Sequence, residues 1–169
     1  AYDYNSSITS VSLAGDSRGY PHVAFGSASG NSIYYAWWDG SAWNDEYVTS
    51  GWDVSIGLDL AENPHIAIWA RNPDRLVYAS RDPVSGWSTE EADKSFNDVG
   101  MTPDLVMVGN TPHIAYYDLE ADNLRYAVKN GSTWTGGIVA SNGYIGFSPA
   151  MAITTASDVH IVYRDEDND

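Results

Sequence analysis

The sequence lacks cysteine, has few basic residues and contains no long apolar run, and each absence excludes a class of structure or function. Without cysteine there are neither disulfide bonds nor thiolate metal sites. Eight lysines and arginines stand against 23 aspartates and glutamates, which gives a formal net charge of −15. Such an acidic surface repels phosphate backbones and anionic lipids, so we expect no nucleic-acid and no membrane partner. The missing apolar run of about 18 residues argues against a transmembrane helix.

What the chain does have is aromatic side chains and repetition. Seven Trp and twelve Tyr occur among 169 residues, a composition that favours sheets over helical bundles. A short motif around a histidine recurs at residues 21–24, 64–67, 112–115 and 159–162, with histidine spacings of 43, 48 and 47. A Tyr-Ala pair begins 13 residues after each of the first three histidines, and a Trp follows them by 21 or 22 residues.

This period predicts the fold. A repeat of about 40–50 residues is the size of one four-stranded blade of a β-propeller. In the third unit, Asn130-Gly131 lies between two apolar runs, which is a strong hairpin signal, and Asp39-Gly40 occupies the same place in the first unit. We therefore predict an all-β chain, a single β-propeller domain over residues 1–169 with four-stranded antiparallel blades of about 43–48 residues.

The repeat also predicts the blade boundaries. We expect whole blades at about 8–49, 53–91 and 103–140, and the two inner strands of a fourth at about 148–164. Residues 1–5 align with the outer strand of the first blade, with Tyr4 matching Tyr47, so they are predicted to complete the fourth. Closure within one chain, giving four blades, is the favoured interpretation. A homodimer sharing composite blades, or a larger propeller of which this chain is a piece, is the alternative.

Residues 113–118, with 124–127 and Trp134 after them, resemble the Pro-His-Ile-(Ala/Ser)-Tyr-Tyr-Asp repeat of exported bacterial β-propellers. The resemblance covers nearly the whole chain and implies the fold and a secreted or cell-surface location. Residues 38–43 are also similar to the Trp-Asp-Gly-x-x-Trp hairpin of fucose-binding propeller lectins, although the Arg and Glu that hold fucose there have no matching positions here. Residues 16–19 are similar to part of the Asp-box turn of sialidase-type propellers.

The recurring residues are predicted to be structural. Equivalent histidines lie far apart around a ring and cannot converge on one ion, so we expect buried histidines bonded to a neighbouring backbone group or serine, and no metal. The recurring tryptophans and the Tyr-Ala pairs are expected between blades, in the core. The tryptophans are Trp43, Trp87 and Trp134.

A ligand site is expected where the repeat is broken, on the disc face that carries the connections between second and third strands. Trp69, for example, replaces Gly26, Tyr117 and Arg164 of the other units. Aromatic rings with a few charged groups suit sugar recognition; the alternative is that they fill the axial tunnel. The candidate residues are Trp52, Trp69, Arg71, Tyr117, Asp118, Tyr144, Phe147 and Arg164.

Two smaller features complete the candidates. Trp37 and Trp38 interrupt the repeat near the opposite face and form a possible second aromatic patch or interface. Asp165, Asp167 and Asp169 have the spacing of a calcium loop, but its glycine and distal glutamate are missing, so a solvated acidic tail is favoured. No other cofactor is predicted.

The sequence favours binding over catalysis. It carries no Ser-His-Asp signature, phosphate loop or nucleotide fingerprint, and its many acids single out no glycosidase pair. We therefore predict a non-catalytic binding module for carbohydrate, lectin-like in character. The alternatives are a glycan-processing enzyme fragment of sialidase or glycosidase type, and a structural or assembly propeller with no small ligand.

Overall fold

The computed structural model describes residues 7–29, 31–93, 98–154 and 158–167, and all its regular elements in these ranges are β-strands. They form three antiparallel sheets of four strands and one of two, and in each sheet neighbouring strands are consecutive in sequence. The predicted all-β propeller is confirmed. Over the same ranges no helix has the length and apolar character needed to cross a membrane.

Each sheet is one blade. The first consists of β1 (Ile8–Gly15), β2 (Pro21–Ser27), β3 (Ser32–Trp38) and β4 (Trp43–Ser50). The second consists of β5 (Asp53–Leu58), β6 (Pro64–Ala70), β7 (Arg75–Asp82) and β8 (Gly86–Glu91). The third consists of β9 (Val99–Val108), β10 (Thr111–Asp118), β11 (Asn123–Asn130) and β12 (Thr133–Ala140). The fourth consists of β13 (Ile145–Ile153) and β14 (Val159–Asp165).

Two inner strands begin earlier than the repeat suggested. The third blade starts at Val99 rather than 103, and the fourth at Ile145 rather than 148. Gly100 and Gly146 both adopt φ of 98°, which glycine reaches without strain. A Cβ on either would come within 2.6 Å of a backbone atom of the preceding blade's third strand. The pairing register of both strands is also irregular near these starts. Such bulges break the alternation of side chains between the two faces of a strand, which is the pattern that identifies a strand in a sequence.

Three of the four histidines are bonded to tyrosine, not to backbone or serine as expected, and the fourth, His160, is exposed rather than buried. Nδ1 of the histidine lies 2.5 Å from the Oη of the tyrosine 13 residues later in each of the first three blades. Burial lowers the pKa of these histidines and raises the pKa of the tyrosines, so a neutral imidazole shares a hydrogen bond with a protonated tyrosine hydroxyl, and the imidazole tautomer sets which group donates. The pairs are His22–Tyr35, His65–Tyr78 and His113–Tyr126.

The recurring tryptophans join one blade to the next. Trp87 packs edge-on against Tyr35 of the first blade, with ring centroids 5.5 Å apart, and Trp134 packs in the same way against Tyr78, at 5.1 Å. These two lie between blades as predicted. Trp43 does not: it is 40% exposed, because no blade precedes the first in the described part of the chain.

The inner strands are linked from blade to blade by a repeated hydrogen bond. A side-chain oxygen on one inner strand accepts a backbone N–H from the next, which fixes the rotation between neighbouring blades. The pairs are Ser12 with Ile56 at 3.1 Å, Ser55 with Leu105 at 3.0 Å, and Asp104 with Met151 at 2.5 Å.

The predicted outer strand at residues 1–5 lies outside the described residues. Its pairing with the fourth blade therefore stays a prediction. Within the described ranges, β14 pairs with β13 alone, so its outer edge is open there.

Candidate functional site

A cavity of about 570 Å³ lies between the second and third blades. Its walls come from the end of β8 and the two residues after it, from β10 and β11, and from the β11–β12 hairpin. The side chains with polar groups or rings that matter most here are Glu90, Glu91, Asp93, Tyr116, Arg125 and Trp134. The cavity is therefore built by strands of two neighbouring blades, on rigid elements.

A buried ionic network forms its inner wall. Arg125 Nε lies 3.2 Å from Asp93 Oδ2, and one of its terminal nitrogens lies 3.0 Å from Asp118 Oδ2; all three side chains are buried. Tyr116 Oη donates to Asp93 Oδ2 at 2.5 Å. Burial raises the pKa of Tyr116, and the Asp93 carboxylate raises it further, so the hydroxyl keeps its proton. The network holds Arg125 and Tyr116 in fixed orientations beside the cavity.

Trp134 supplies an aromatic wall with an unused donor. Its indole is half-buried and lines the cavity, held from behind by the contact with Tyr78. Its Nε1 is buried and has no hydrogen-bond partner in the described part of the chain. A buried donor without a partner costs about 1–3 kcal/mol. A ligand oxygen that displaces the neighbouring side chains would remove that cost, since the nitrogen is closed to solvent in this structure.

The acids at the rim are also held in place. Glu90 pairs with Lys129 of the third blade, and Glu91 pairs with Arg75 of its own blade. Each pair is partly exposed to solvent, so its contribution to stability is small. Both residues line the cavity, so their carboxylates are charged hydrogen-bond acceptors close to it.

The structure divides the predicted face residues into separate contact groups. Trp52, Trp69 and Arg71 do come together: the guanidinium carbon lies 4.9 Å from the Trp52 ring centroid and 5.2 Å from that of Trp69. This arrangement gains cation–π energy but places Arg71 on the ring faces that a sugar would use. The three residues form one cluster, and a ligand-binding role for it stays a prediction.

The other face residues lie in further groups. Tyr117 packs against Phe147 with ring centroids 5.2 Å apart, and its hydroxyl donates to Asp122. Arg164 pairs with Glu166 at 3.1 Å. The Tyr144 backbone N–H donates to Asp167 Oδ2 at 3.0 Å, and the Tyr144 ring is exposed. Asp118, the last residue of β10, is fully buried and pairs with Arg125.

Trp37 and Trp38 do not form one patch. They are consecutive in β3 and therefore point to opposite faces of the sheet. Trp37 stacks on Tyr35 with ring centroids 5.0 Å apart, and the Arg81 guanidinium carbon lies 5.7 Å from its ring centroid, within the interface between the first two blades. Trp38 packs against Trp43 at 6.0 Å.

The acidic tail makes local hydrogen bonds. Asp165 Oδ1 accepts the Asp167 N–H at 3.1 Å, and Asp167 Oδ2 accepts the N–H of Tyr144. Asp169 lies outside the described residues. Over the described ranges, no group of three or more His, Asp or Glu side chains is arranged to hold a metal. Calcium binding by this tail stays a prediction.

A smaller cavity of about 220 Å³ is lined by all four inner strands, including Ser10, Asp53, Thr102 and Ser148. Burial raises the pKa of Asp53, while hydrogen bonds from Thr102 and Ser10 oppose that shift. Asp53 is the one carboxyl among the described residues lining this cavity. A two-carboxylate glycosidase site needs a facing pair, which this lining does not supply.

Sequence reasoning missed most of the larger cavity. The predicted candidates lie at the ends of strands, whereas the cavity lies between the faces of two neighbouring blades. A signal was present: Arg125 stands where the first two units have Tyr34 and Val77, a charged residue at a position that faces the preceding blade. Trp134 was noticed, but its repetition pointed only to the core.

No protein-family model and no curated protein sequence matches the chain. Among solved structures it is similar to a bifunctional GH43-CE from Bacteroides eggerthii, with a TM-score of 0.57 and 11% identity over 90% of this chain. The chain corresponds to 22% of the length of that protein. It is also similar to a fucose lectin from Kordia zhangzhouensis in complex with methyl-fucoside, with a TM-score of 0.53 and 15% identity over 78% of this chain and 99% of the lectin. At these identities the likeness shows the propeller fold alone.

Proposed function

We propose that this protein binds carbohydrate without catalysis, in the cavity between the second and third blades. The observation that carries the proposal is the buried, unpartnered indole N–H of Trp134 beside the fixed Arg125 and Tyr116 groups. The cavity volume of about 570 Å³ falls in the range of roughly 300–1,000 Å³ typical of small-ligand sites.

The chemistry of the walls suits a sugar. Carbohydrates present apolar C–H faces that pack on aromatic rings and hydroxyl groups that both donate and accept. Trp134 and Tyr116 offer rings and donors, and the carboxylates of Glu90 and Glu91 offer acceptors. The complex of the Kordia lectin with methyl-fucoside supports the ligand class, as a property of that protein.

The acids of the cavity support binding over hydrolysis. Asp93, Glu90 and Glu91 each face a basic side chain, namely Arg125, Lys129 and Arg75. A glycosidase acid needs a carboxyl free to donate its proton to the leaving group, whereas these three carboxylates are engaged in ion pairs. Paired carboxylates serve as fixed hydrogen-bond acceptors.

The test is a glycan array followed by calorimetry with the strongest binders. Trp134→Phe keeps a ring against Tyr78 but removes the indole donor, and we expect about a tenfold weaker affinity, the equivalent of one hydrogen bond. Trp87→Phe is the matched control, because Trp87 holds the equivalent position one blade earlier and should leave affinity unchanged. Equal affinity of the Trp134 variant and the wild type contradicts the site, an empty array contradicts carbohydrate binding, and turnover of chromogenic glycosides contradicts a non-catalytic role.

A further inference from the structure

The first blade exposes a strand face that the other blades bury. We call the side of a blade turned to the preceding blade its leading face, and the opposite side its trailing face. Leu13 lies on the leading face of the first blade and pairs, on the neighbouring strand, with the residue that follows the blade's histidine. Ile56, Leu105 and Met151 make the same pair in the following three blades. Those three are buried against the preceding blade, whereas Leu13 is 67% exposed.

Other residues of this leading face are exposed as well. Val11 is 66% exposed, although its equivalent in the second blade, Val54, is buried. Trp43 belongs to the same face, since its equivalents Trp87 and Trp134 pack on the preceding blade. The leading face of the first blade is therefore an apolar surface built like a blade interface but uncovered.

The fourth blade exposes the matching trailing face. Val162 follows its histidine by two residues and is 69% exposed, while Ala24, Ala67 and Ala115 at the same position are fully buried by the next blade. Its ladder partner is Ala150, at the position where the other blades carry Ser12, Ser55 and Asp104. The fourth blade thus lacks the polar acceptor and presents an apolar centre to any neighbour.

We propose that these two faces bind each other between two copies of this chain, the fourth blade of one copy against the first blade of the next. The chain already makes this leading-to-trailing contact three times through its inner strands, so the first two strands of each open face match those of the other, while the fourth blade has no described third strand for Trp43 to pack on. Within one copy both faces stay exposed, which shows that the described residues do not cover them internally. Such a head-to-tail contact closes into a ring when the rotation between copies permits. The proposal does not depend on carbohydrate binding.

The test is the mass in solution by light scattering coupled to gel filtration. We expect twice 18.4 kDa, or a higher multiple, for the wild-type chain. Leu13→Glu and Val162→Lys should each give a folded protein of 18.4 kDa by the same measurement and by circular dichroism. A mixture of the two variants should regain the wild-type mass, because one contact then keeps both native faces and the other joins Glu to Lys. Val84→Glu is the control, since Val84 is 96% exposed in the β7–β8 turn and should not change the mass.

Three outcomes overturn the proposal. One is a wild-type mass of 18.4 kDa at every concentration up to the solubility limit, which would leave the faces to another partner or to residues outside the described ranges. Another is a failure of the mixed variants to associate, which would exclude the head-to-tail pairing. The third is association that weakens as the NaCl concentration rises. Copies with a net charge of −15 repel each other, and because salt screens this repulsion, an apolar contact should become stronger with added NaCl.

Discussion

Both the first blade interface and the second contain an apolar core cluster, but the second, between the second and third blades, also holds a cavity and a buried ionic network. Ile68 and Val77 of the second blade belong to the core cluster of the first interface. At the same repeat positions the third blade has Tyr116 and Arg125. On the opposing side Thr49 of the first blade corresponds to Asp93 of the second, the carboxylate that Arg125 and Tyr116 share.

The two interfaces also treat the same tryptophan differently. Trp87 Nε1 donates to Glu46 at 2.8 Å, and Arg81 pairs with the same carboxylate. In the next interface Lys129 pairs with Glu90, and the indole N–H of Trp134 is left without a partner in the described residues. A few side chains on one common backbone arrangement thus decide whether a blade interface carries apolar side chains or an ionic network beside a cavity.

The largest effect should come from breaking the network. Arg125→Val leaves the buried carboxylates of Asp93 and Asp118 without their cation, so we expect a loss of about 3–5 kcal/mol in the free energy of unfolding, measured with urea. Val77→Ala in the apolar interface is the control and should cost far less, since it removes only methyl groups.

Grafting the first interface onto the second sharpens this prediction. Replacing the whole network by the residues of the equivalent interface should recover most of the stability, because no buried charge remains unpaired. The same replacement should abolish carbohydrate binding, because it removes the polar groups of the cavity wall. A graft as unstable as the Arg125 variant would show that the network is not what sets the two interfaces apart. The grafted substitutions are Asp93→Thr, Tyr116→Ile, Asp118→Ala and Arg125→Val.

The histidine–tyrosine pairs are common to both interfaces and should respond alike. Tyr35→Phe and Tyr78→Phe each leave an imidazole nitrogen without its hydrogen-bond partner, and we expect each to lower the free energy of unfolding in urea by about 1–3 kcal/mol. A cost confined to one of the two would show that the backbone arrangement is not equivalent in both.

The same pairs predict a pH dependence. Burial holds the pKa of His22, His65 and His113 below the ordinary value of 6.5, so the unfolded chain binds more protons as the pH falls through that value. The free energy of unfolding should therefore be lower at about pH 5.5 than at about pH 7.5. Burial raises the pKa of Asp53 and Asp104, so the protonation of these carboxyls at lower pH favours the folded state and opposes the effect of the histidines. The two pH values are therefore chosen above the pH at which these carboxyls titrate. A His113→Gln variant should show a smaller decrease, and an unchanged decrease would contradict the assignment.

The smallest effect separates the two tryptophans. Trp87→Phe loses the hydrogen bond to Glu46, whereas Trp134→Phe removes a donor that has no partner among the described residues. The free energy of unfolding, measured with urea, should therefore be about 1 kcal/mol lower for the Trp87→Phe variant than for the Trp134→Phe variant. Equal or reversed costs would mean that the Trp134 indole is satisfied in the free protein.

The fold was predictable because the length of the sequence repeat is that of one propeller blade. The histidine period and the Asn130-Gly131 hairpin located blades and strands to within a few residues, and only the bulged starts at Gly100 and Gly146 escaped, since bulges break alternation. The site was less predictable, because it depends on which side chains meet across an interface. Arg125 could be seen to break the repeat, but its partner Asp93 lies 32 residues away on another blade. Trp69 and Arg71 did meet, as a packed cluster.

The most direct test of the cavity as a carbohydrate site is the ¹H–¹⁵N spectrum of the seven tryptophan side chains, recorded with and without a panel of neutral methyl glycosides that includes methyl-fucoside. The indole N–H signal of Trp134, assigned with the Trp134→Phe variant, should shift on saturation, because the ligand supplies its hydrogen-bond acceptor. The signal of Trp87, already bonded to Glu46, should stay in place. Binding that moves the signals of Trp52 and Trp69 while Trp134 stays unchanged would contradict this account and return the site to the face of the disc.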